Sequence, residues 1–266
     1  MESGLGYHDA RALLEWQVEL GVNEAIGEVP VNRYEVPAEA PKLKVAPAPA
    51  PAPVPVAAVA APVAEDAVAA ATAAAAGAGD LAALRAAIEG FGHCELTRGA
   101  KTTVFADGNP GARVMMIGEA PGRDEDIAGR PFVGRAGQLL DRMLAAIDLG
   151  RDVPDAMKSV YITNILPWRP PQNRDPLPAE IAMMLPFVAR HVELVDPDVL
   201  VLMGNISCLA LLGRKGISRL RGNWVQVLGK PALPMFHPAF LLRTPSAKRE
   251  AWHDLLMLQA RLREAG

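Results

Sequence analysis

The sequence is poor in cysteine and has no long apolar run. Two cysteines, Cys94 and Cys208, occur among 266 residues, too few for a disulfide framework, a four-thiolate zinc site or a complete set of iron–sulfur ligands. No apolar run approaches the ~20 residues that a membrane-spanning helix needs, which argues against an integral membrane protein. The first residues lack a basic segment followed by an apolar core, so we expect a protein of the reducing cytoplasm.

Charge is distributed unevenly along a chain whose net charge is only −3. Residues 1–80 carry four basic and eleven acidic side chains, whereas residues 81–266 carry 23 basic and 19 acidic ones. A mildly basic body suits a protein that meets a polyanion, although many ordinary domains have the same balance. Half of the residues are hydrophobic, which is enough for one domain with its own core and additional segments.

Two segments precede the region that we expect to fold as a domain. Residues 1–36 contain apolar residues at helical spacing and predict a helical extension, which is where a protein partner would bind. Residues 37–79 are dominated by alanine, proline and valine, which predicts a disordered linker whose alanine run is partly helical. A docking motif is the alternative interpretation of the linker. The folded domain is expected at residues 80–266.

From residue 80 onward, short apolar runs alternate with amphipathic stretches. The apolar runs predict four strands, at residues 112–117, 160–164, 199–203 and 234–236. The amphipathic stretches predict four helices, at residues 137–147, 178–195, 206–212 and 246–264. This alternation predicts an α/β fold, a three-layer α/β/α sandwich around a short, mostly parallel four-stranded sheet. Ligands of such sheets bind beyond the carboxyl ends of the strands.

Polar or glycine-rich segments follow three of the four predicted strands. The sequence GEAPGRDED at residues 118–126 follows the first strand, Asn164 ends the second, and His237 follows the last. Each has a structural explanation: a turn chosen for its backbone shape, a loop cap and a packing histidine. Because the three strand ends meet at one edge of the sheet, a pocket is the functional alternative. A phosphate-binding loop is a weaker alternative for GEAPG, which lacks the Lys and Ser/Thr of a P-loop.

Four longer segments extend these motifs: GEAPGRDEDIAGRPFVGRAGQLLD, VYITNILPWRPPQNRDP, PDVLVLMGN and HPAFLLR. In this order, across residues 88–257, they closely resemble the uracil-DNA glycosylase superfamily, nearest to its family 4. The resemblance implies an enzyme that flips deoxyuridine out of DNA and hydrolyses its N-glycosidic bond, leaving an abasic site. It also implies uracil-containing DNA as the partner. For this chain we expect no metal or organic cofactor, and we expect a monomer.

The resemblance assigns roles in recognising the base. Phe132 would stack on the uracil ring, and Asn164 would pair with its N3–H and O4 edge, where cytosine presents the opposite pattern. Glu125 would lie beside uracil C5 and exclude the methyl group of thymine. The other expected substrate-binding residues are Gly118, Ala120, Pro121 and Gly122.

Two residues are the candidates for catalysis. His237 matches the family histidine that donates to uracil O2, where negative charge accumulates as the base departs. Glu119 is our first choice for stabilising the sugar cation or orienting the attacking water. In the best-known family an Asp stands one position later, where this chain has Ala120, so the choice among the carboxylates of this loop stays open.

The run after His237 resembles the loop that enters the minor groove of DNA. Leu241 would fill the space left by the flipped nucleotide. The expected phosphate contacts are Arg243, Lys248 and Arg219, with further basic residues at positions 214, 215, 221 and 249. A solvated basic surface is the alternative explanation for each of them.

The chain departs from family 4 at the positions of its iron–sulfur cluster. Family 4 members usually hold the cluster with four cysteines, and the matching positions here are Phe91, Cys94, Trp168 and Met184. One thiolate cannot hold a cluster, so we predict none. We expect the large apolar replacements to form a hydrophobic plug that pins the same loops.

Two alternatives concern the activity itself. Some relatives carry a basic, His-containing insertion after PFVG and become trapped covalently on the abasic site; this chain lacks it, so we expect ordinary monofunctional turnover. The other alternative is a catalytically silent module that binds uracil or abasic sites in DNA and recruits repair partners. The joint presence of Glu119, Asn164 and His237 argues against it, because a pure binder needs no leaving-group donor.

Overall fold

Short, wholly buried apolar runs form the centre of the sheet in the computed structural model, which describes residues 65–264. Such runs are typical of parallel strands that are covered on both faces. The strands within the described residues are Ala106–Gly108 (β1), Val114–Gly118 (β2), Val160–Asn164 (β3), Val199–Met203 (β4), Val225–Val227 (β5) and Lys230–Met235 (β6). They lie in the order β1-β3-β2-β4-β6-β5, and β3, β2, β4 and β6 run parallel.

All four predicted strands are present, but the sheet has six strands rather than four. The two additional strands, β1 and β5, are three residues long, too short for any apolar alternation to be recognised. Both pair antiparallel at the two edges of the sheet, β1 with β3 and β5 with β6. They widen the predicted sheet without changing its fold class.

Helices pack against both faces of the sheet. Neighbouring residues of β2 enter two separate apolar clusters, Met115 and Ile117 on one face and Val114 and Met116 on the other, because side chains alternate along a strand. The three-layer α/β/α sandwich is therefore confirmed. The helices of the described residues are Glu65–Gly77 (α1), Leu81–Glu89 (α2), Arg123–Ala128 (α3), Arg135–Ala145 (α4), Pro178–Val195 (α5), Gly204–Leu212 (α6), Ile217–Leu220 (α7), Pro238–Arg243 (α8) and Lys248–Glu264 (α9), with 3₁₀ turns at Glu95–Arg98, Pro171–Asn173 and Pro245–Ala247.

The four predicted helices correspond to α4, α5, α6 and α9, each within two residues of its predicted bounds. The first cluster, which contains Met115, receives side chains from α1, α2, α5 and α6. The second, which contains Val114, receives them mainly from α4 and α9. None of the helices between residues 65 and 264 is long and apolar enough to cross a membrane.

The alanine-rich end of the predicted linker is a helix that packs against the domain. Alanine has the highest helix propensity, and its small side chain lets helices approach closely. Ala67, Ala71 and Ala75 of α1 are buried in the first cluster. Arg190 of α5 donates from Nε and Nη2 to the carbonyl oxygen of Ala78, at 3.0 and 2.9 Å. The prediction of a linker is therefore wrong for residues 65–79, whereas the predicted extension and the rest of the linker lie outside the described residues.

Candidate active site

A pocket of about 700 Å³ opens at the carboxyl ends of the parallel strands. The loop after β2, the end of β3, the start of α6 after β4 and the segment after β6 all line it. This is the edge at which an open α/β sheet is expected to bind its ligand. The lining brings together many of the residues predicted from the sequence: Glu119, Ala120, Pro121, Gly122, Glu125, Phe132, Asn164, His237 and Arg243.

Gly118, the last residue of β2, lies beneath this pocket. A Cβ atom at this position would collide with Oδ1 of Asn164 and would lie 2.7 Å from Cζ of Phe132, closer than side chains tolerate. The absence of a side chain at Gly118 therefore allows the Asn164 amide and the Phe132 ring to meet over the end of the strand. Any substitution here would displace one or both of them.

Asn164 has a buried acceptor without a partner in the described part of the chain. It is only 6% exposed, and its Oδ1 makes no hydrogen bond. An acceptor left in this state costs about 1–3 kcal/mol. Because Asn164 lines the pocket, an N–H donor on a bound molecule can supply the missing hydrogen bond.

Phe132 occupies an unusual backbone conformation. Its φ is +55°, in the left-handed region that costs a residue other than glycine about 1–3 kcal/mol. The ring is buried at the pocket wall, and its centroid lies 5.3 Å from that of His237, with an angle of 31° between the planes. This arrangement offers an aromatic face and an imidazole edge to the same space.

The environment of His237 determines which ring nitrogen carries the proton. His237 caps the N-terminus of α8, where its Nδ1 accepts a hydrogen bond from the backbone N–H of Ala239 at 3.2 Å. Burial, with a smaller contribution from the cation of Arg243, lowers the pKa of His237 to about 4. At neutral pH the imidazole is therefore uncharged, with its proton on Nε2, and it can act as a neutral donor.

Glu119 follows β2 and is only partly exposed. Burial, and then the neighbouring carboxylate of Asp175, raise the pKa of Glu119 to about 7, whereas the ammonium group of Lys215 opposes the shift. Near neutral pH this side chain is divided between the acid and the carboxylate. A carboxyl group with such a pKa is suited to proton transfer or to stabilising a developing positive charge.

Glu125 uses both carboxylate oxygens to hold the backbone. Its Oε2 accepts from the N–H of Gly122 at 3.1 Å, and its Oε1 accepts from the N–H groups of Val133 and Gly134 at 3.0 and 2.9 Å. The side chain lines the pocket and ties the loop after β2 to the loop that carries Phe132. The expected position beside uracil C5 stays a prediction.

Leu241 does not have the exposure that we expected of a wedge. It lies in α8 with 1% of its surface exposed, as part of the first apolar cluster. In this structure the side chain faces the core, and its expected role at the DNA stays a prediction. The helical turn directs Leu241 into the core and leaves its neighbours Phe240 and Leu242 partly exposed.

The predicted phosphate contacts differ in their positions. Arg243 is exposed at the rim of the pocket, and Lys248 and Arg219 are exposed outside its lining. Arg221, in contrast, pairs with the fully buried carboxylate of Asp254 and is held in place.

Several pocket residues were not predicted from the sequence. Asn173, Arg174 and Asp175 reach the pocket from the segment PPQNRDP, and Asn205 reaches it from the start of α6. Lys215, which we expected only as a phosphate contact, also lines the pocket. The Oδ1 of Asn205 accepts from the N–H groups of residues 216 and 217 and so holds the Lys215 loop. The motif PPQNRDP was a signal for the first group, whereas no motif indicated that Asn205 would line the pocket or that Lys215 would lie beside Glu119.

The positions that match the family's cluster ligands form part of the core. Phe91, Cys94, Trp168 and Met184 are each at most 5% exposed and belong to the first apolar cluster, as the predicted plug requires. Burial raises the pKa of the single thiol, Cys94, which disfavours the thiolate that a metal needs. These residues do not fit an iron–sulfur cluster. Between residues 65 and 264, no three His, Cys, Asp or Glu side chains form a group that could hold a metal ion.

The sequence that forms this site matches a known protein family. Residues 105–256 match the model of the uracil DNA glycosylase superfamily. Every pocket residue described above lies inside this range, whereas α1 and α2 precede it.

Individual relatives agree with the family model. A type-4 uracil-DNA glycosylase of Thermotoga maritima is 39% identical over 156 residues, which cover 58% of this chain and 78% of the relative. One from Archaeoglobus fulgidus is 39% identical over 170 residues, covering 60% and 82%. A DNA polymerase of Bacillus phage SP01 is 30% identical over 155 residues, 58% of this chain but 16% of the polymerase.

Proposed function

Because this chain belongs to the uracil DNA glycosylase superfamily, we propose that it is a monofunctional enzyme that removes uracil from DNA in base excision repair. It flips deoxyuridine into the pocket and hydrolyses the N-glycosidic bond, releasing uracil and leaving an abasic site. The observation that carries this proposal is the convergence of Phe132, Asn164 and His237 at one edge of the sheet. Similarity to several type-4 uracil-DNA glycosylases supports it.

Base recognition depends on the orphaned amide of Asn164. Its Oδ1 has no hydrogen-bond partner among residues 65–264 and accepts the N3–H of uracil, while its amide nitrogen donates to O4. Cytosine has an acceptor at N3 and a donor at C4, so each contact would become a desolvated mismatch that costs about 1–3 kcal/mol. The uracil ring stacks against Phe132, whose ring forms the pocket wall.

Bond cleavage separates charge between the base and the sugar. The C1′–N1 bond breaks with its electron pair on uracil, and the negative charge that builds up on O2 receives a hydrogen bond from Nε2 of His237. The low pKa of His237 supports this role, since the imidazole is already neutral and needs no proton from solvent. Removing one such donor typically lowers the rate about 10²- to 10³-fold.

Glu119 acts on the sugar side of the reaction. Its carboxylate stabilises the positive charge that develops at C1′ and orients the water that attacks there. The water forms the new C1′–O bond and gives up one proton, which Glu119 can accept because its pKa is about 7. Arg243 at the pocket rim, with Lys248 and Arg219 beyond it, binds phosphates on either side of the flipped nucleotide.

A nicking assay tests the proposal. The substrate is a fluorescent oligonucleotide with one uracil, single- or double-stranded, analysed with and without hot alkali. Wild type should give strand cleavage that depends on alkali, His237→Ala should lose about 10²- to 10³-fold in rate, and Glu119→Gln should also be slower. His253→Ala, which changes an exposed histidine of α9, is the matched control and should behave as wild type.

Three results would contradict the proposal in different ways. Cleavage without alkali would show a lyase rather than a monofunctional enzyme. A uracil-dependent complex in a native gel without cleavage would show a silent binding module. Full activity in His237→Ala would show that His237 is not the group that donates to the departing uracil.

A further inference from the structure

Arg151 is a buried arginine that contacts the backbone on either side of Phe132 without lining the pocket. It is 9% exposed. Its Nη1 donates to the carbonyl oxygen of Pro131 at 2.9 Å, and its Nη2 donates to that of Phe132 at 3.0 Å. Two carboxylates balance its charge: Asp141 accepts from Nε at 2.8 Å and Asp107 from Nη1 at 3.0 Å.

Glu125 holds the same segment through its backbone N–H groups. Its Oε1 accepts from the N–H groups of Val133 and Gly134. Arg151 therefore holds the carbonyl groups of residues 131 and 132, and Glu125, of opposite charge, holds the N–H groups of residues 133 and 134. Gly137 of α4 lets this segment approach the helix closely, since a Cβ atom there would collide with the carbonyl oxygen of Phe132.

These contacts explain how Phe132 keeps its left-handed backbone. A residue with φ of +55° returns to an ordinary conformation unless its surroundings fix it. Arginine suits this task because its planar group donates in several fixed directions at once, whereas the single ammonium of lysine cannot reproduce the fork. A buried guanidinium is costly unless its hydrogen bonds are satisfied, and here most of its donors have partners on the strained segment or on the two carboxylates.

We propose that Arg151, together with Glu125, is a positioning residue that fixes the ring of Phe132 where a flipped base stacks. The identity of that base as uracil rests on the proposed function, whereas the fixing of the ring does not. Without Arg151 the segment can relax, and the ring no longer meets the base in one orientation. A displacement of about 1 Å can lower a rate by two orders of magnitude.

A double-mutant cycle tests whether Arg151 acts through Phe132. Arg151→Met should lower kcat/KM on a uracil-containing oligonucleotide at least about tenfold and weaken inhibition by free uracil. Arg151→Lys should not restore the rate. In a Phe132→Leu background, where there is no ring to position, Arg151→Met should change kcat/KM less than about twofold. Equal fold losses in both backgrounds would overturn the proposal.

Arg113→Met is the matched control for loss of a largely buried arginine. Arg113 also binds one carboxylate, Asp198, and one backbone carbonyl, that of Leu262, but it lies just before β2, at the opposite end of the strand from the pocket. It should alter stability without changing kcat/KM. If Arg151→Met does not fold, Asp141→Asn removes one partner of Arg151 at a half-exposed position and should give a smaller loss that also disappears in the Phe132→Leu background.

A second measurement does not depend on activity. 4-Fluorophenylalanine placed at position 132 should give one narrow ¹⁹F resonance in the otherwise wild-type protein. Arg151→Met should shift or broaden this resonance, and Arg113→Met should not. If the wild type removes no uracil, the proposed function fails, and an unchanged resonance in folded Arg151→Met would separately overturn the positioning role.

Discussion

The pocket and the apolar plug of Phe91, Cys94, Trp168 and Met184 differ in how well their buried polar groups are hydrogen-bonded. The difference is sharp, because Asn164 of the pocket and Trp168 of the plug are only four residues apart. Asn164 keeps a buried acceptor without a partner among the described residues. Trp168, in contrast, is 3% exposed, and even its indole N–H donates to Oγ1 of Thr103 at 3.1 Å. Within residues 65–264, the pocket contains a buried polar atom without a partner, whereas the one indole N–H of the plug has one.

The difference shows where this fold tolerates unfavourable local structure. The pocket combines a buried amide oxygen without a partner among residues 65–264, a left-handed phenylalanine and a carboxyl group with a raised pKa. Each feature lowers stability, and each becomes useful when a ligand or a transition state supplies what is missing. In the plug, buried side chains pack at the positions that the resemblance matches to cluster ligands, and this packing can hold the loops there.

The largest expected effect is on the plug. Trp168→Ala should lower the free energy of unfolding by about 3–5 kcal/mol, because it removes a large buried side chain and leaves a cavity. At a temperature where the variant is folded, kcat/KM should stay within a few-fold of wild type. Urea unfolding and single-turnover kinetics measure the two quantities, and Trp252→Ala, at an exposed site on α9, should change stability by less than about 0.5 kcal/mol. A stable Trp168→Ala protein that has lost its activity would break the comparison.

An opposite pattern is expected at Asn164. Asn164→Ala should lower kcat/KM by about ten- to a hundredfold, which corresponds to about 1–3 kcal/mol, because uracil loses its hydrogen-bonding partner. The free energy of unfolding should not fall, since the substitution removes an acceptor that has no partner in the described part of the chain. Asn109→Ala is the contrast: this amide bonds to Pro154 and Gly111, so stability should fall while activity remains. A large loss of stability in Asn164→Ala would argue that its amide has a structural role.

The smallest effect concerns pH. Because the pKa of Glu119 is raised to about 7, the carboxylate becomes populated as pH rises through 7, and kcat/KM should increase about tenfold between pH 6 and pH 8. His237, with a pKa of about 4, stays neutral over this range and adds no second limb. Glu119→Gln should be slower and nearly independent of pH between 6 and 8. A pH dependence that persists in Glu119→Gln would assign the titration to another group.

The raised pKa of Glu119 also makes the stability of the fold depend on pH. A carboxyl group whose pKa is higher in the folded state favours folding in its protonated form, so its stabilising contribution is complete below pH 4.5 and is lost as pH rises through 7. Comparing wild type with Glu119→Gln by urea unfolding at pH 5 and pH 8 isolates this contribution.

Sequence motifs predicted the pocket better than its surroundings. Asn164 ends one recognisable strand and His237 follows another, so their convergence could be expected from the sheet alone. Leu241 could not be placed, because one residue of helical phase decides whether a side chain in the six-residue α8 faces the core or the solvent. Arg151 shows a further limit, since its partners lie 10 to 44 positions away in the sequence and meet it only through the fold.

Composition also misplaced the start of the folded unit. Alanine-rich sequence after an Ala/Pro stretch is typical of a linker, yet the packing of α1 on α5 decides its structure. Strands β1 and β5 were missed because three residues carry no periodicity, although pairing with an existing sheet edge is enough to form them.

The helix α1 lies outside the stretch that matches the family model but inside the hydrophobic core. The stretch shared with the superfamily begins at residue 105, yet the hydrophobic core already includes side chains from α1, which begins at Glu65. A shortened protein that starts at Asp80 would expose the apolar surface of α5 and leave Arg190 without the carbonyl of Ala78. The stretch that matches the superfamily is therefore shorter than the stretch that packs into one hydrophobic core. A fragment meant to fold on its own, for example when fused to another protein, has to include α1 and α2 as well as the shared stretch.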